Sequence, residues 1–485
     1  MVKVILLFET DSKKPKSLIF FSLLILFLTS ADLFPQKMIT ASLTDQKGII
    51  LTLYQDQGHI QEIREVQIPQ GEIHINWINV ASKIIPSSIV LFPASAKQNI
   101  QIKEQQYVFD LQNTETMLEK FIGKEIKIAR KNPQTGEENI ITAQLLSTQG
   151  GNIYKIGEDI TFGDLGRIIL PSAVQTLVTQ PTISFLLRST EKLKSPLTLS
   201  YFTLGLSWHT DYLLILASDE RSLRLTGRAM LENQAGIAFK NAQIKLIAGE
   251  VHQAAHPASP LYRAALSAES VLEQSLPSVN PLFEYYQFSL PGRINLEIQE
   301  MKQVTLVEGN DIHFVKKFKL ASPPQFYPGH ISSASPGTSC EVILQIENKK
   351  ENKLGMPLAK GLWRVYQSME SGHLDFLGED ELSQIPKDEK IEINVGKSFD
   401  VIAERTQTQY KRIKDNLYEM GYEIKLKNHK PQDAVVEVVE TLNGSWKILS
   451  SSHAYLKIAS DRVLFNIKIP KEKTVILTYS AELKY

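Results

Sequence analysis

Apolar and polar positions alternate with a period of two along most of the chain, most clearly at its end. Val463, Phe465, Ile467 and Ile469 alternate with Leu464, Asn466 and Lys468, and beyond Pro470-Lys471-Glu472-Lys473 the set Val475, Leu477, Tyr479, Ala481, Leu483 and Tyr485 repeats the pattern. Successive side chains of a strand point to opposite faces, so this stretch predicts an antiparallel hairpin with one buried face. Ile49 to Tyr54 and Glu62 to Ile68 predict a second pair around Asp56-Gln57-Gly58. Ile73, Ile75 and Trp77, then Tyr107, Phe109 and Leu111, continue the alternation. These segments predict an N-terminal β domain over residues 38–112.

Thr114 is placed to cap a short helical pattern, Met117, Leu118 and Phe121. From Gly123 to Thr190 the strands shorten between turns at Asn132-Pro133, Thr135-Gly136, Gly150-Gly151 and Phe162-Gly163. Turns this frequent predict a small barrel-like β module or curled sheet over 113–190. Strand patterns return at Leu197–Leu204, Tyr212–Leu216, Leu223–Leu231 and Ala242–Ala248 and resume from Phe283, giving a β-sandwich region over 191–485. A Pro/Ala/Ser-rich excursion at 252–281, with a helical run at Leu261–Leu272, interrupts it. The predicted fold class is mainly β: multidomain β-sandwiches with a small barrel-like module and few short helices.

The N-terminus changes the picture of where the protein works. Lys13, Lys14 and Lys16 precede the apolar run Leu18–Leu28, and Thr29-Ser30-Ala31 offers small residues for cleavage after Ala31. This is the layout of a secretory signal peptide over 1–31, and the apolar run is short for about 30 Å of hydrocarbon. The expected localisation is exported, whether periplasmic, cell-surface or secreted, with membrane contact only through this segment if it stays uncleaved. Lys plus Arg and Asp plus Glu are 53 each, so no concentrated positive charge exists to neutralise phosphates, and nucleic acid is excluded as a partner. Cys340 is the only cysteine, so no intramolecular disulfide can form. Flanked by Ser339 and Glu341 before Val342, Leu344 and Ile346, it reads as a packed strand residue.

Motif chemistry is sparse. His252 and His256 have HxxxH spacing with Glu250 before them, but Pro257 follows and the glutamate of HExxH is missing. Gly205-Leu206-Ser207-Trp208-His209 lacks the second glycine of a GxSxG nucleophile elbow, because His209 occupies its place. Ser189-Thr190-Glu191-Lys192 matches SxxK without its companion motifs, and Glu379-Asp380-Glu381 beside Gly378 reads as a solvated turn. The terminal strands could suggest a transmembrane barrel, but the earlier segments do not supply evenly spaced strands of about ten residues. No catalytic, cofactor-binding or metal-ligating residue is assigned, and no cofactor is implied.

Several stretches resemble the domain of unknown function 4139 family, which includes proteins named mucoidy inhibitor A. They are Tyr201 to Tyr212 (YFTLGLSWHTDY), Leu225-Thr226-Gly227 through Asn233, and Phe239-Lys240-Asn241-Ala242 to Gly249. Later come Glu404-Arg405-Thr406, Tyr422-Glu423-Ile424 with Asn428-His429, and Glu440 followed by Trp446. The resemblance covers about residues 190 to 485. Thr52 to Phe92 is similar to the N-terminal domain often paired with that family, and the Gly123 to Thr190 module stands where mucoidy inhibitor A proteins carry a long coiled coil. The resemblance implies the fold and no established activity.

The expected function is therefore an exported, non-enzymatic cell-envelope protein that binds a protein or surface glycan. The alternative is a secreted hydrolase or carbohydrate-active enzyme with its residues scattered over β loops. If the signal is cleaved as the spacing predicts, mass spectrometry of the exported chain will find Asp32 first; a chain that keeps Leu18–Leu28 would contradict the assignment.

Overall fold

The computed structural model describes residues 38–93, 100–109, 114–132, 135–171, 178, 180–249, 251, 276–322 and 337–484. The signal segment 1–31, most of the 252–281 excursion, and Glu250, His252 and His256 lie outside the described residues. Among the described residues strands hold 68% and the one α-helix is Thr114–Glu119, so the chain is mainly β with multiple sheets. No helix among the described residues is long and apolar enough to cross a membrane.

The first core lies between two sheets. One orders Met38–Ala41, Gly71–Ile78, Thr182–Ser189 and Ile100–Val108. The other orders Ser278–Leu282, Tyr285–Ser289, Phe239–Ala248, Gln46–Leu53, Gln57–Ile68, Leu193–Leu204 and Val90–Pro93, with Ile294–Leu296 beside Phe239–Ala248. The alternating residues behave as their period dictates: Ile73, Ile75 and Trp77 meet Leu51, Leu53, Ile60, Leu197 and Leu199 in one cluster. The expected boundaries at 112/113 and 190/191 separate strands that are hydrogen-bonded neighbours. Leu193–Leu204 pairs antiparallel with Gln57–Ile68, and Phe239–Ala248 pairs parallel with Gln46–Leu53. Turn density marks where the chain leaves a sheet and carries no information about which distant strand it rejoins.

Between Ile100–Val108 and Thr182–Ser189 the chain builds a five-stranded sheet, ordered Asp159–Phe162, Ile153–Ile156, Glu138–Ser147, Glu125–Lys131, Arg167–Ile169. Phe121, which follows the short helix, joins Ile126, Ile128, Ala143, Leu145 and Tyr154 in its small core. The sheet is open and not a closed barrel, because among the described residues its two end strands each pair on one side only. Gly166 is required where it stands: a Cβ there would lie 2.4 Å from the carbonyl oxygen of Ala129, at φ +135°.

Two further cores are stitched to the first by strands that run through both. Ser222–Asn233 gives Ala229 and Leu231 to the first core and Leu223 and Leu225 to the second. Glu300–Ala321, 22 residues long, gives Val304 and Leu306 to the first, Val307 and Ile312 to the second, and Phe318 and Leu320 to the third. Lys390–Lys414, 25 residues long, places Ile391 and Ile393 in the second core and Val401 and Ala403 in the third. At about 3.3 Å per residue such strands reach about 70 to 80 Å when straight.

The terminal segments are strands with the expected buried faces, but they do not form a hairpin. Arg462–Ile469 pairs with Ala434–Thr441, whereas Thr474–Lys484 pairs with Leu417–Asn428 and Ser445–Ser451. Val463, Phe465, Ile467 and Ile469 meet Leu477, Tyr479, Ala481 and Leu483 across the third core. Both arrangements bury the same side chains, so period alone does not choose between them.

One pair breaks the apolar rule inside the first core. Glu62 and Arg64 point inward from Gln57–Ile68 at 2% and 0% exposure. Arg64 Nη2 donates to Glu62 Oε2 at 2.8 Å, Arg64 Nη1 donates to the carbonyls of Ala41 and Ile78 at 2.7 Å each, and Trp77 Nε1 donates to Glu62 Oε1 at 2.6 Å. The pair therefore links Gln57–Ile68 to the ends of two strands of the facing sheet. Removing one partner strands the other as a buried charge, which costs about 3–5 kcal/mol. Urea denaturation is expected to show that loss for Arg64→Met and to show most of it recovered in the Glu62→Met/Arg64→Met double variant; equal losses would refute the account.

Candidate functional site

The residues that carry motif chemistry are engaged structurally. Ser207 is half-buried on Leu206–Leu216 opposite Glu232, and His209 is exposed opposite Met230, so the two lie in a regular antiparallel ladder with no sharp turn between them. Ser189 Oγ donates to the carbonyl of Glu191, closing a local turn at the head of the SxxK match. Cys340 is fully buried in the third core, and burial with help from Glu341 pushes its thiol up to about 12. The carboxylates after Gly378 each have a partner. Glu379 pairs with Arg364, Asp380 accepts from the backbone N–H of Asn394, and Glu381 pairs with Lys360. Among the described residues no three His, Cys, Asp or Glu side chains converge to hold a metal ion.

The structure brings together a pair with no signal in the sequence, because its members are 141 residues apart. His59 Nε2 and Ser200 Oγ are 2.7 Å apart on neighbouring strands, and His59 stacks on Phe202 with ring centroids 4.6 Å apart. Burial holds the His59 imidazole below its usual pKa, so it stays neutral near pH 7. A hydroxyl beside a neutral imidazole is half of a nucleophilic device. The other half needs free backbone N–H groups to receive an oxyanion. Leu193–Leu204 is paired on both sides through Ser200, with Gln57–Ile68 on one edge and Val90–Pro93 on the other. Its backbone is committed to the sheet, and the bond fixes side chains across the strands.

An open groove of about 590 Å³ lies at one end of the first sandwich, within the volume range of ordinary ligand sites. Met38–Ala41 and the turn after it contribute Ile39, Thr40, Thr44 and Asp45; Gln46–Leu53 contributes Lys47; Gln57–Ile68 contributes Glu65 to Ile68, and Pro69 follows. The turn into Leu193–Leu204 adds Lys192, and the strand itself adds Lys194. Glu65 sits between two of the lysines, 2.8 Å from Lys194 Nζ and 3.6 Å from Lys47 Nζ. The bond from Lys194 holds its carboxyl below the usual glutamate range, and Lys47 adds to the effect. Asp45 accepts from the backbone N–H and hydroxyl of Ser42. Both carboxylates of the groove are thus occupied, and no described carboxylate lies within ion-pair distance of Lys192. The groove has a small aliphatic wall from the partly exposed Ile39 and Pro69, and a cationic rim. In the sequence only the Lys192-Leu193-Lys194 spacing hints at it, since Lys47 and Glu65 come from other strands.

The family model described as domain of unknown function (DUF4139) matches residues 197–446. None of the curated proteins matches the chain. The matched segment begins inside Leu193–Leu204 of the first sandwich, runs through the second core and ends in Ser445–Ser451 of the third. It covers more than half of the chain, and the chain belongs to the DUF4139 family.

Proposed function

We propose that this chain is an exported, non-enzymatic cell-envelope protein that works as a stiff interaction module. It would resemble mucoidy inhibitor A proteins in joining the family segment to an N-terminal β domain, with the Glu125–Ile169 sheet in place of their coiled coil. The observation that carries the reading is the use made of the strands. Glu300–Ala321 and Lys390–Lys414 pass from core to core without a linker, and the motif residues on other strands are engaged too, Ser207 and His209 in a regular ladder and Ser189 in a local turn. A frame of this kind favours contact through loops and grooves at sandwich ends, where side chains are not committed to the sheets. The groove between Lys47, Glu65 and Lys192 is the contact surface we assign, and the partner is a protein or envelope glycan.

The hydrolase alternative rests on His59 and Ser200, and one experiment separates the two. A photoreactive amino acid at Thr44, in the groove, is expected to yield a discrete adduct in intact cells in the envelope or extracellular fraction. The same group at Ile458, half-exposed near the third core, is expected to yield none. Retention in the cytoplasm would refute export. Ester or glycoside turnover that disappears in Ser200→Ala would refute the non-enzymatic reading.

A further inference from the structure

Within the interaction reading, the groove carries information about what it binds. Lys194 and Lys47 converge on one carboxylate of their own chain, Glu65, while Lys192 beside them has no described carboxylate in reach. We infer that the groove takes an acidic, aliphatic peptide segment of a partner protein, and that Glu65 is an internal stand-in for the ligand's carboxylate. This inference rests on the interaction role proposed above.

Three observations select a peptide. Of the apolar residues along the groove, Ile39 and Pro69 are partly exposed and form its apolar wall, whereas Val66 and Ile68 are buried in the first core; the lining contains no aromatic ring. Sugar faces are commonly held on flat aromatic rings, whereas Leu, Val or Ile side chains pack well against branched aliphatic ones. Second, Met38–Ala41 borders the groove and, among the described residues, pairs only with Gly71–Ile78. Its other edge can meet an extended backbone by strand addition, which supplies main-chain hydrogen bonds that a sugar cannot match. Third, charge decides which peptide: three lysines face two carboxylates that already have partners, so the unmet charge is positive and calls for Asp, Glu or a C-terminal carboxylate.

Glu65 then sets affinity as well as register. An incoming carboxylate gains Lys192 directly and gains Lys194 and Lys47 by displacing Glu65. The displacement is easy because the side chains of Lys47 and Lys194 are 57% and 61% exposed and their pairs with Glu65 are screened by solvent.

The test is fluorescence anisotropy on the purified full chain, with labelled peptides that alternate Leu with Asp or Leu with Lys, and with an oligouronide as a third probe. The Leu/Asp peptide is expected to bind, and to bind at least about tenfold more weakly as salt rises from about 50 to about 500 mM. Lys192→Glu, at a side chain with no described ion-pair partner, is expected to cost a similar factor without moving the thermal midpoint, as is Lys192→Ala/Lys194→Ala. Glu65→Gln frees two lysines and is expected to tighten binding about threefold or more, a gain that a merely structural Glu65 would not give. Equal binding of the Leu/Lys peptide, indifference to Lys192→Glu, or weaker binding by Glu65→Gln would overturn the inference. Binding of the oligouronide in place of the peptide would overturn it too and leave the interaction role intact, as would a Thr44 adduct in cells without peptide binding. Loss of the Thr44 adduct would instead count against the interaction role.

Discussion

The structure depends on one constraint: the backbone hydrogen bonds of a few long strands must stay satisfied while those strands pass from one hydrophobic core to the next. A linker would relieve the constraint at the cost of a hinge, and the chain has none at these crossings. It uses β-bulges instead, which add a residue to one strand and turn it without breaking the sheet. The ladder between Ser222–Asn233 and Glu300–Ala321 shifts register between Gly227 and Arg228, which lie opposite Val307 and Thr305, so Leu306 is the extra residue. Leu306 packs in the first core and Val307 in the second. Neighbouring residues could not both face inward in a regular strand; the bulge is what lets one strand serve two cores. Lys390–Lys414 does the same: Val342 and Ile343 of Thr338–Glu347 lie opposite Gly396 and Asn394, so Val395 is the extra residue, and it falls between Ile393 in the second core and Val401 in the third.

Buried polar groups fix the ends of these sandwiches. Asn233 Nδ2 donates to the carbonyls of Ile237, Leu296 and Glu297 while its Oδ1 accepts from Ala235 N–H. Asn428 repeats the device beside the third core, donating to Gln432, Ile469 and Pro470 and accepting from Lys430 N–H. Asn348 does so beside the second, donating to Met356 and Pro386 and accepting from Gly355 N–H. An asparagine at a strand end thus satisfies loop carbonyls that would otherwise be buried without a partner. In the third core Arg405 grips Glu440 through Nε and Nη2, Tyr479 donates its hydroxyl to the same carboxylate, and the guanidinium lies 3.8 Å from the centre of the Tyr422 ring. Arg405, Asn428 and Glu440 lie in stretches through which the chain resembles its family, and here they hold sheets together.

Which residues face inward was legible in the sequence; which strands neighbour one another was not. Ile73, Ile75 and Trp77 and the terminal sets from Val463 and Val475 are buried as their alternation requires. Alternation constrains one strand at a time, so it could not tell a terminal hairpin from two strands facing each other across a core. It also failed where bulges reset its phase, as at Leu306. Glu62 and Arg64 occupy inward positions that a polar/apolar reading assigns to solvent, because their charges are met by groups on the facing sheet. The groove was invisible for the same reason: Lys47, Glu65 and Lys192 belong to segments that only the sheet order brings together.

Stiffness and weak electrostatics fit each other in this molecule. Each lysine on the groove rim is solvent-exposed, so each contact it would make to the proposed partner is small and screened by salt. Such a surface gains most when little ordering is needed to use it, and its lysines project from strands and turns fixed by the first core and by the Glu62–Arg64 pair beneath them. Lys47, Glu65 and Lys194 are directly paired or adjacent across the sheet that contains Arg64. Disturbing the buried pair would therefore loosen the frame on which the surface charges are mounted. The interior of the sandwich and the chemistry of its rim are carried by the same strand, Gln57–Ile68, whose inward side chains hold the fold and whose outward Glu65 lies on the groove.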